Sequence, residues 1–191
     1  MEPRKKRLSH NAYTVALLAP LEVELSAVRY MLDEEHEQLP ATKGDPNRYV
    51  LGQLSQHNVA ITSLPAGYQG IISAAIVARD LARTFQSVEL RLLVGIGGGV
   101  PSSTVDVRLG DVVVSVPSDT QGGVVQYDLG KQTTTGFQRK GFLCPPPNEW
   151  LATVPQMRSD HLVRSNLVSK HIGDILERYP ALSSTSDRRL T

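Results

Sequence analysis

The sequence predicts an α/β protein with a mixed central β-sheet flanked by helices, formed over residues 12–182. Three observations carry this. Residues 13–19 (YTVALLA) form a continuous apolar run of strand length, as strands buried on both faces do. Apolar runs of this kind alternate with segments of helical spacing. Residues 90–117 (LRLLVGIGGGVPSSTVDVRLGDVVVSVP) place two β-rich runs on either side of a glycine loop. Such a sheet normally continues through further strand–helix units, so the domain is expected to be incomplete on its C-terminal side.

Taken in order, residues 1–11 are polar and read as a disordered leader ahead of the strand at 13–19. Pro20 suits a first helical position, and Leu21, Leu25, Val28 and Leu32 follow at helical spacing. Residues 39–47 are a polar connection. Residues 49–54 and 59–64 read as a hairpin joined through Ser55, Gln56, His57 and Asn58. Pro65, Ala66 and Gly67 introduce a helix over 70–85, whose Ala74, Ala75, Ala78 and Ala82 predict a smooth face laid against the sheet.

Strands are then predicted at 92–94, 112–116 and, shorter, 122–127. Residues 131–140 read as a polar surface loop, and Pro145, Pro146 and Pro147 as an extended connector. An amphipathic helix is predicted over 160–179 through Val168, Ile172, Ile175, Leu176 and Tyr179, stopped by Pro180. Residues 183–191 are polar and read as a disordered tail.

Composition narrows the function classes. The 191 residues carry 20 basic and 19 acidic side chains, a net charge of +1. Such a balance opposes a broad nucleic-acid surface, which needs clustered Lys and Arg. The one basic run, Arg4-Lys5-Lys6-Arg7, reads as a solvated tail, with a targeting role left open. A single cysteine, Cys144, excludes an internal disulfide and fits a reducing compartment. One Cys and five scattered His residues show no metal-ligand spacing. No apolar run reaches the length of a membrane span, and no signal peptide is visible. The expectation is a soluble, cytoplasmic protein with no membrane, nucleic-acid or metal partner, and with a homo-oligomer left open.

Three groups of residues are candidates for a site. Gly95, Gly97, Gly98 and Gly99, with Ile96 between them, exceed what a plain turn requires and allow close backbone approach to a ligand. They match neither the dinucleotide fingerprint nor a Walker A loop. Glu22 and Glu24 follow the first strand, where a carboxylate either holds a water or hydroxyl or merely complements the helix dipole. Gln126, Tyr127 and Asp128 follow a glycine pair and could contact ligand hydroxyls or be ordinary loop residues. No G-x-S-x-G elbow is present. His36, His57, His161 and His171 read as surface residues, and Cys144 as a bystander.

The segments YTVALLAPLEVELSAVRYML, LPAGYQGIISAAIVA and VGIGGGVP…RLGDVVVS…GGVVQYDLGK together resemble the purine and uridine phosphorylase superfamily. They are most similar to the nucleoside phosphorylase-like domain of fungal multidomain proteins that carry NACHT, ankyrin or tetratricopeptide modules. Methylthioadenosine/S-adenosylhomocysteine nucleosidases belong to the same superfamily. The resemblance spans about residues 13–182. It implies cleavage of the N-glycosidic bond of a purine nucleoside by phosphate or water, with no cofactor and with phosphate as a co-substrate in the phosphorolytic case. It places Glu24 at the position of the glutamate that holds the attacking water. Gly67, Gly95, Ile96, Gly97, Gly98, Gly99 and Asp128 become substrate-binding positions.

Two departures modify what the resemblance implies. Leu93 and Ile96 stand where phosphorylases place an arginine and a hydroxyl residue for phosphate, which favours hydrolysis over phosphorolysis. The family's Glu-Met-Glu element that grips the ribose, and the aspartate that protonates the base, have no counterpart here. Loss of a general acid alone removes about 10²–10⁴-fold in rate. Two readings therefore stand: a nucleoside phosphorylase or nucleosidase, or a catalytically silent nucleoside-binding or interaction module from a multidomain sensor.

Overall fold

The computed structural model describes residues 4–103 and 105–182. It contains a five-stranded mixed sheet with helices on both faces, as an α/β fold requires. The chain divides into two compact units. Among the described residues, the first holds 4–98 and 171–182, and the second holds 99–103 and 105–170.

In the first unit the strands are β1 (Val15–Leu18), β2 (Glu34–Glu35), β3 (Val50–Leu54), β4 (His57–Thr62) and β5 (Leu90–Leu93), in the order β2-β3-β4-β1-β5. β1 is an interior strand, parallel to β4 on one side and to the edge strand β5 on the other. β3 pairs antiparallel with β2 and β4. Alternation along the strands sends side chains to two separate cores. Val15, Leu17, Val59 and Ile61 pack with Val28 and Leu32 of the first helical segment, α1 (Glu22–Tyr30) and its C-terminal end. Ala16, Leu51 and Ala60 pack on the other face with Leu81 and Phe85 of α2 (Gly70–Thr84) and its cap.

Both helices start close to where the sequence places them, but the buried face of α2 differs. Ala75 and Ala78 are exposed, whereas Val77, Asp80, Leu81 and Thr84 are buried. Val77 and Leu81 mark the buried stripe, while the large side chains of Ile71, Ile72 and Ile76 stay exposed. Asp80 tolerates burial because its carboxylate pairs with Arg79 and Arg83 at 2.9 and 3.4 Å.

The hairpin turn is shorter than predicted, with Ser55 and Gln56 alone between the strands. Both have positive φ (47° and 71°), as a two-residue turn matched to strand twist demands. Asp33 supports it by accepting the Ser55 N–H at 2.7 Å. Gly52 of β3 shows why that strand carries a glycine. A Cβ there would meet the Glu34 carbonyl at 2.5 Å and a Leu32 methyl at 2.7 Å.

The expectation of a disordered leader over residues 1–11 is corrected from Arg4 onward. Glu37 donates its N–H to the Lys6 carbonyl at 2.8 Å, Lys5 pairs with Glu35 at 2.8 Å, and Leu8 packs on the Tyr13–Phe85 core. A short 3₁₀ turn at His10–Ala12 leads into β1. These residues form a strap along the β2 side of the sheet. Burial disfavours the charged form of Glu35, but hydrogen bonds from Arg29 and Lys5 outweigh it and hold its carboxyl below the ordinary value. The tail at 183–191 lies outside the described residues.

The second unit departs most from expectation. Residues 112–116 form no strand, and Val112, Val113 and Val114 are exposed. Their β-branched composition suits a strand, but a strand exists only where a neighbour accepts its ladder. Residues 122–127 likewise form none, leaving an isolated bridge between Ser118 and Gln121. The predicted loop at 131–140 is instead a hairpin of β6 (Gly130–Thr133) and β7 (Gly136–Arg139), turned through Thr134 and Thr135 with Gly136 at positive φ. The helix predicted over 160–179 is two helices. After α3 (Asn148–Leu151), α4 (Thr153–Val163) ends at an extended Arg164. α5 (Val168–Arg178) then begins, with Asn166 accepting the Val168 N–H. In the first unit, Arg178 donates to the Leu32 carbonyl and Tyr179 lies against Tyr30.

Candidate functional site

Parallel strands β1, β4 and β5 all end at the same edge of the sheet. α1 leaves β1 toward one face and α2 follows β4 on the other, so the loops after these two strands diverge. Open α/β sheets bind ligands at such divergences, beyond the carboxyl ends of the strands. Three segments of the first unit meet this edge: residues 20–24, residues 63–69 and residues 94–98. Backbone bonds hold them in line, from Ala19 N to Thr62 O at 2.9 Å and from Val94 N to Leu18 O at 3.0 Å.

Glu24 is the side chain that ties this edge together. It is the third residue of α1 and is buried, while Glu22, two residues earlier, is exposed. The N-terminal turn of a helix leaves its N–H groups without intrahelical acceptors, and a third-position glutamate can reach back to the cap. Here Glu24 Oε2 accepts the Leu21 N–H at 2.7 Å. Its other oxygen, Oε1, accepts the N–H of Ile96 at 2.7 Å, across 72 residues of sequence. One carboxylate therefore caps α1 and clamps the glycine loop.

The clamp explains Gly95. A Cβ on this residue would stand 2.7 Å from Glu24 Oε1, and the carboxylate cannot retreat without losing both amides. Gly97 and Gly98 differ: no atom lies within 4 Å of a Cβ built on either, so their place is open. Gly67 has φ +80°, a conformation that admits glycine readily, in the loop between β4 and α2.

The structure thus brings Glu24, Gly95 and Ile96 together, with Gly97 and Gly98 continuing the same loop and Gly67 on a neighbouring loop. The Ile96 side chain is exposed, so its contribution at this edge is its backbone amide. Gly99 and Asp128 belong to the second unit. There Gly99 packs on Val107, and Asp128 is exposed beside an exposed Tyr127. Neither arginine near the loop is committed to it: Arg91 is exposed, and Arg108 pairs with Asp106. That pairing raises the Arg108 guanidinium above its ordinary value. Among the described residues, no group of three or more His, Cys, Asp or Glu could hold a metal ion. No helix among them is long and apolar enough to cross a membrane.

One residue expected at the surface is instead in the core. His36 is 1% exposed, with Tyr13 Oη at 3.0 Å from its Nδ1. The register that pairs Glu35 with Gly52 carries His36 onward to Leu51, whose carbonyl accepts the His36 N–H. A polar sequence neighbourhood, Glu34-Glu35-His36-Glu37, concealed the inward position.

No family model matches the chain. It is 39% identical over 174 residues to a nucleotide-binding leucine-rich repeat (NLR)-like protein of Hyaloscypha variabilis. The match covers 91% of the chain but only 17% of that relative, so the chain spans about a sixth of its length. This fits the setting of a fungal NLR-type multidomain protein, while the likeness to nucleoside phosphorylases rests on the sequence motifs.

Proposed function

We propose that the chain is a nucleoside-binding module of an NLR-like multidomain protein, one that holds a purine nucleoside without cleaving it. The observation that carries this reading is the Glu24 clamp. It presents the Gly95–Gly98 backbone at the strand-end edge, and each of its oxygens already accepts a backbone N–H. Each oxygen keeps a second lone pair, but the buried carboxylate is fixed in place by these two amides. In this arrangement Glu24 is a positioning residue for the loop.

Gly97 and Gly98 leave room for a sugar or base to approach the backbone, as glycine-lined ligand sites do. Calorimetric titration with adenosine and inosine, with phosphate and without it, tests the proposal when paired with chromatography of the mixture. Saturable heat with intact nucleoside supports it. Free base in the mixture would establish the glycosidic-bond-cleaving reading instead, and no heat at millimolar nucleoside would leave an interaction module without a nucleoside.

A further inference from the structure

The strap at residues 4–12 rests on a histidine that has no route to carry charge. His36 is 1% exposed, and its Nε2 is buried with no hydrogen-bond partner. Its other nitrogen is engaged by the Tyr13 hydroxyl. Tyr13 is itself fully buried, edge-on to Phe85, with its hydroxyl pushed up to about 12 by burial. Neutral imidazole fits this place, because one nitrogen bears a proton and the other a lone pair. Imidazolium does not fit, because both nitrogens must then donate and Nε2 faces no acceptor.

We propose that His36 is an acid-sensitive lock beneath the N-terminal strap, and that its protonation releases residues 4–12 from the sheet. The strap is held at three points next to His36. Its Lys6 carbonyl accepts from Glu37, Lys5 pairs with Glu35, and Leu8 covers the core cluster around Tyr13. When His36 takes up a proton, its second ring N–H must reach water. Residues 34–37 then move off the cluster, and the strap loses its carbonyl partner and its apolar seat together. Release frees the run Arg4-Lys5-Lys6-Arg7 from the carboxylates of Glu35 and Glu37.

The charges around the ring are divided. From β2 the Glu34 carboxylate favours protonation, and from the strap the Lys6 ammonium opposes it. The 3₁₀ turn contributes His10, whose ring lies on Phe85, and β1 contributes the Tyr13 hydroxyl. At His36, β3 offers the Leu51 backbone carbonyl, and Phe85, which caps α2, carries no titrating group. Burial dominates and sets the imidazole below its ordinary value of 6.5. The sign follows from linkage. Below 6.5 the unfolded chain binds more protons than the folded one, so stability is full above that pH and is lost as pH falls below it.

Histidine-selective ¹⁵N NMR on the full chain, followed from pH 8 to pH 5, tests the lock together with amide exchange corrected for the intrinsic rate. The expected result is that His36 is still largely neutral at pH 6.5. Protection of the Glu37 amide should fall by up to about tenfold between pH 7.5 and 5.5, while Ile61 and Leu17 stay protected. His36→Leu should abolish the pH dependence, and His10→Gln should retain it. His36 half-protonated at pH 6.5 or above, or a Glu37 amide equally protected at both pH values, would overturn the proposal. Because the wild-type titration decides the matter directly, a His36 variant that fails to fold leaves the test intact.

Discussion

Glu24→Ala is expected to lower stability by about 2–4 kcal/mol, because two backbone amides lose a charged acceptor in a partly buried place. The Leu21 N–H loses the cap of α1, and the Ile96 N–H loses the hold that fixes the glycine loop. These losses are separable in graded variants. Glu24→Gln keeps one oxygen for one amide but turns an NH₂ toward the other, so about half the effect should remain. Gly95→Ala leaves Glu24 in place but puts a methyl where Oε1 stands, so it should imitate Glu24→Ala in loop order. Urea unfolding measures the stability change, and amide exchange at Ile96 reports the loop. A Glu24→Ala protein as stable as wild type, with Ile96 equally protected, would show that the carboxylate holds nothing.

The largest effect away from the site is expected for Phe85→Ala, at about 3–5 kcal/mol. Phe85 is 1% exposed and meets three rings: Tyr13 at 5.6 Å, Tyr49 at 4.8 Å and His10 at 5.4 Å between centroids. It caps α2 and packs beneath the strap, so its removal opens a cavity bounded by α2, β1 and the 42–49 connection. That connection is independently fixed to α2 through Asn47, whose side chain donates to the Val77 carbonyl, and through Asp45, which accepts from Tyr49 and Thr84. The cavity therefore cannot close fully, which places the cost in the upper part of the range. Thermal unfolding should show a midpoint lowered by roughly 6–20 °C, given about 2–4 °C per kcal/mol for chains of this size. A shift below 2 °C would mean that the site collapses around the missing ring.

The sequence was most informative where periodicity and burial coincide. The apolar run at 13–19 is buried on both faces and becomes an interior strand, and the helices after β1 and β4 begin near their Pro- and Gly-containing entries. It was least informative where a strand depends on its neighbour. Val112, Val113 and Val114 have the composition of a buried strand and yet are exposed, while polar residues 131–140 form a hairpin through mutual pairing. Local preference sets which residues tolerate extension, and pairing decides which of them extend.

The site follows the same division. Glu24 and the glycine loop were each visible as candidates, but the bond from Glu24 to Ile96 joins residues 72 apart and leaves no local trace. Even so, the steric requirement at Gly95 follows once that bond is known. His36 was hidden for a related reason: the side of the strand it occupies is set by its register with β3, and its charged neighbours point elsewhere.

The central claim is that the loop clamped by Glu24 is the nucleoside-binding element. Two-dimensional ¹H–¹⁵N NMR during titration with adenosine tests it most directly. Saturable shifts at the Ile96, Gly97 and Gly98 amides of the wild-type chain, absent or at least tenfold weaker in Glu24→Ala, are the predicted result. Shifts confined to residues distant from this edge, or unchanged by Glu24→Ala, would contradict it.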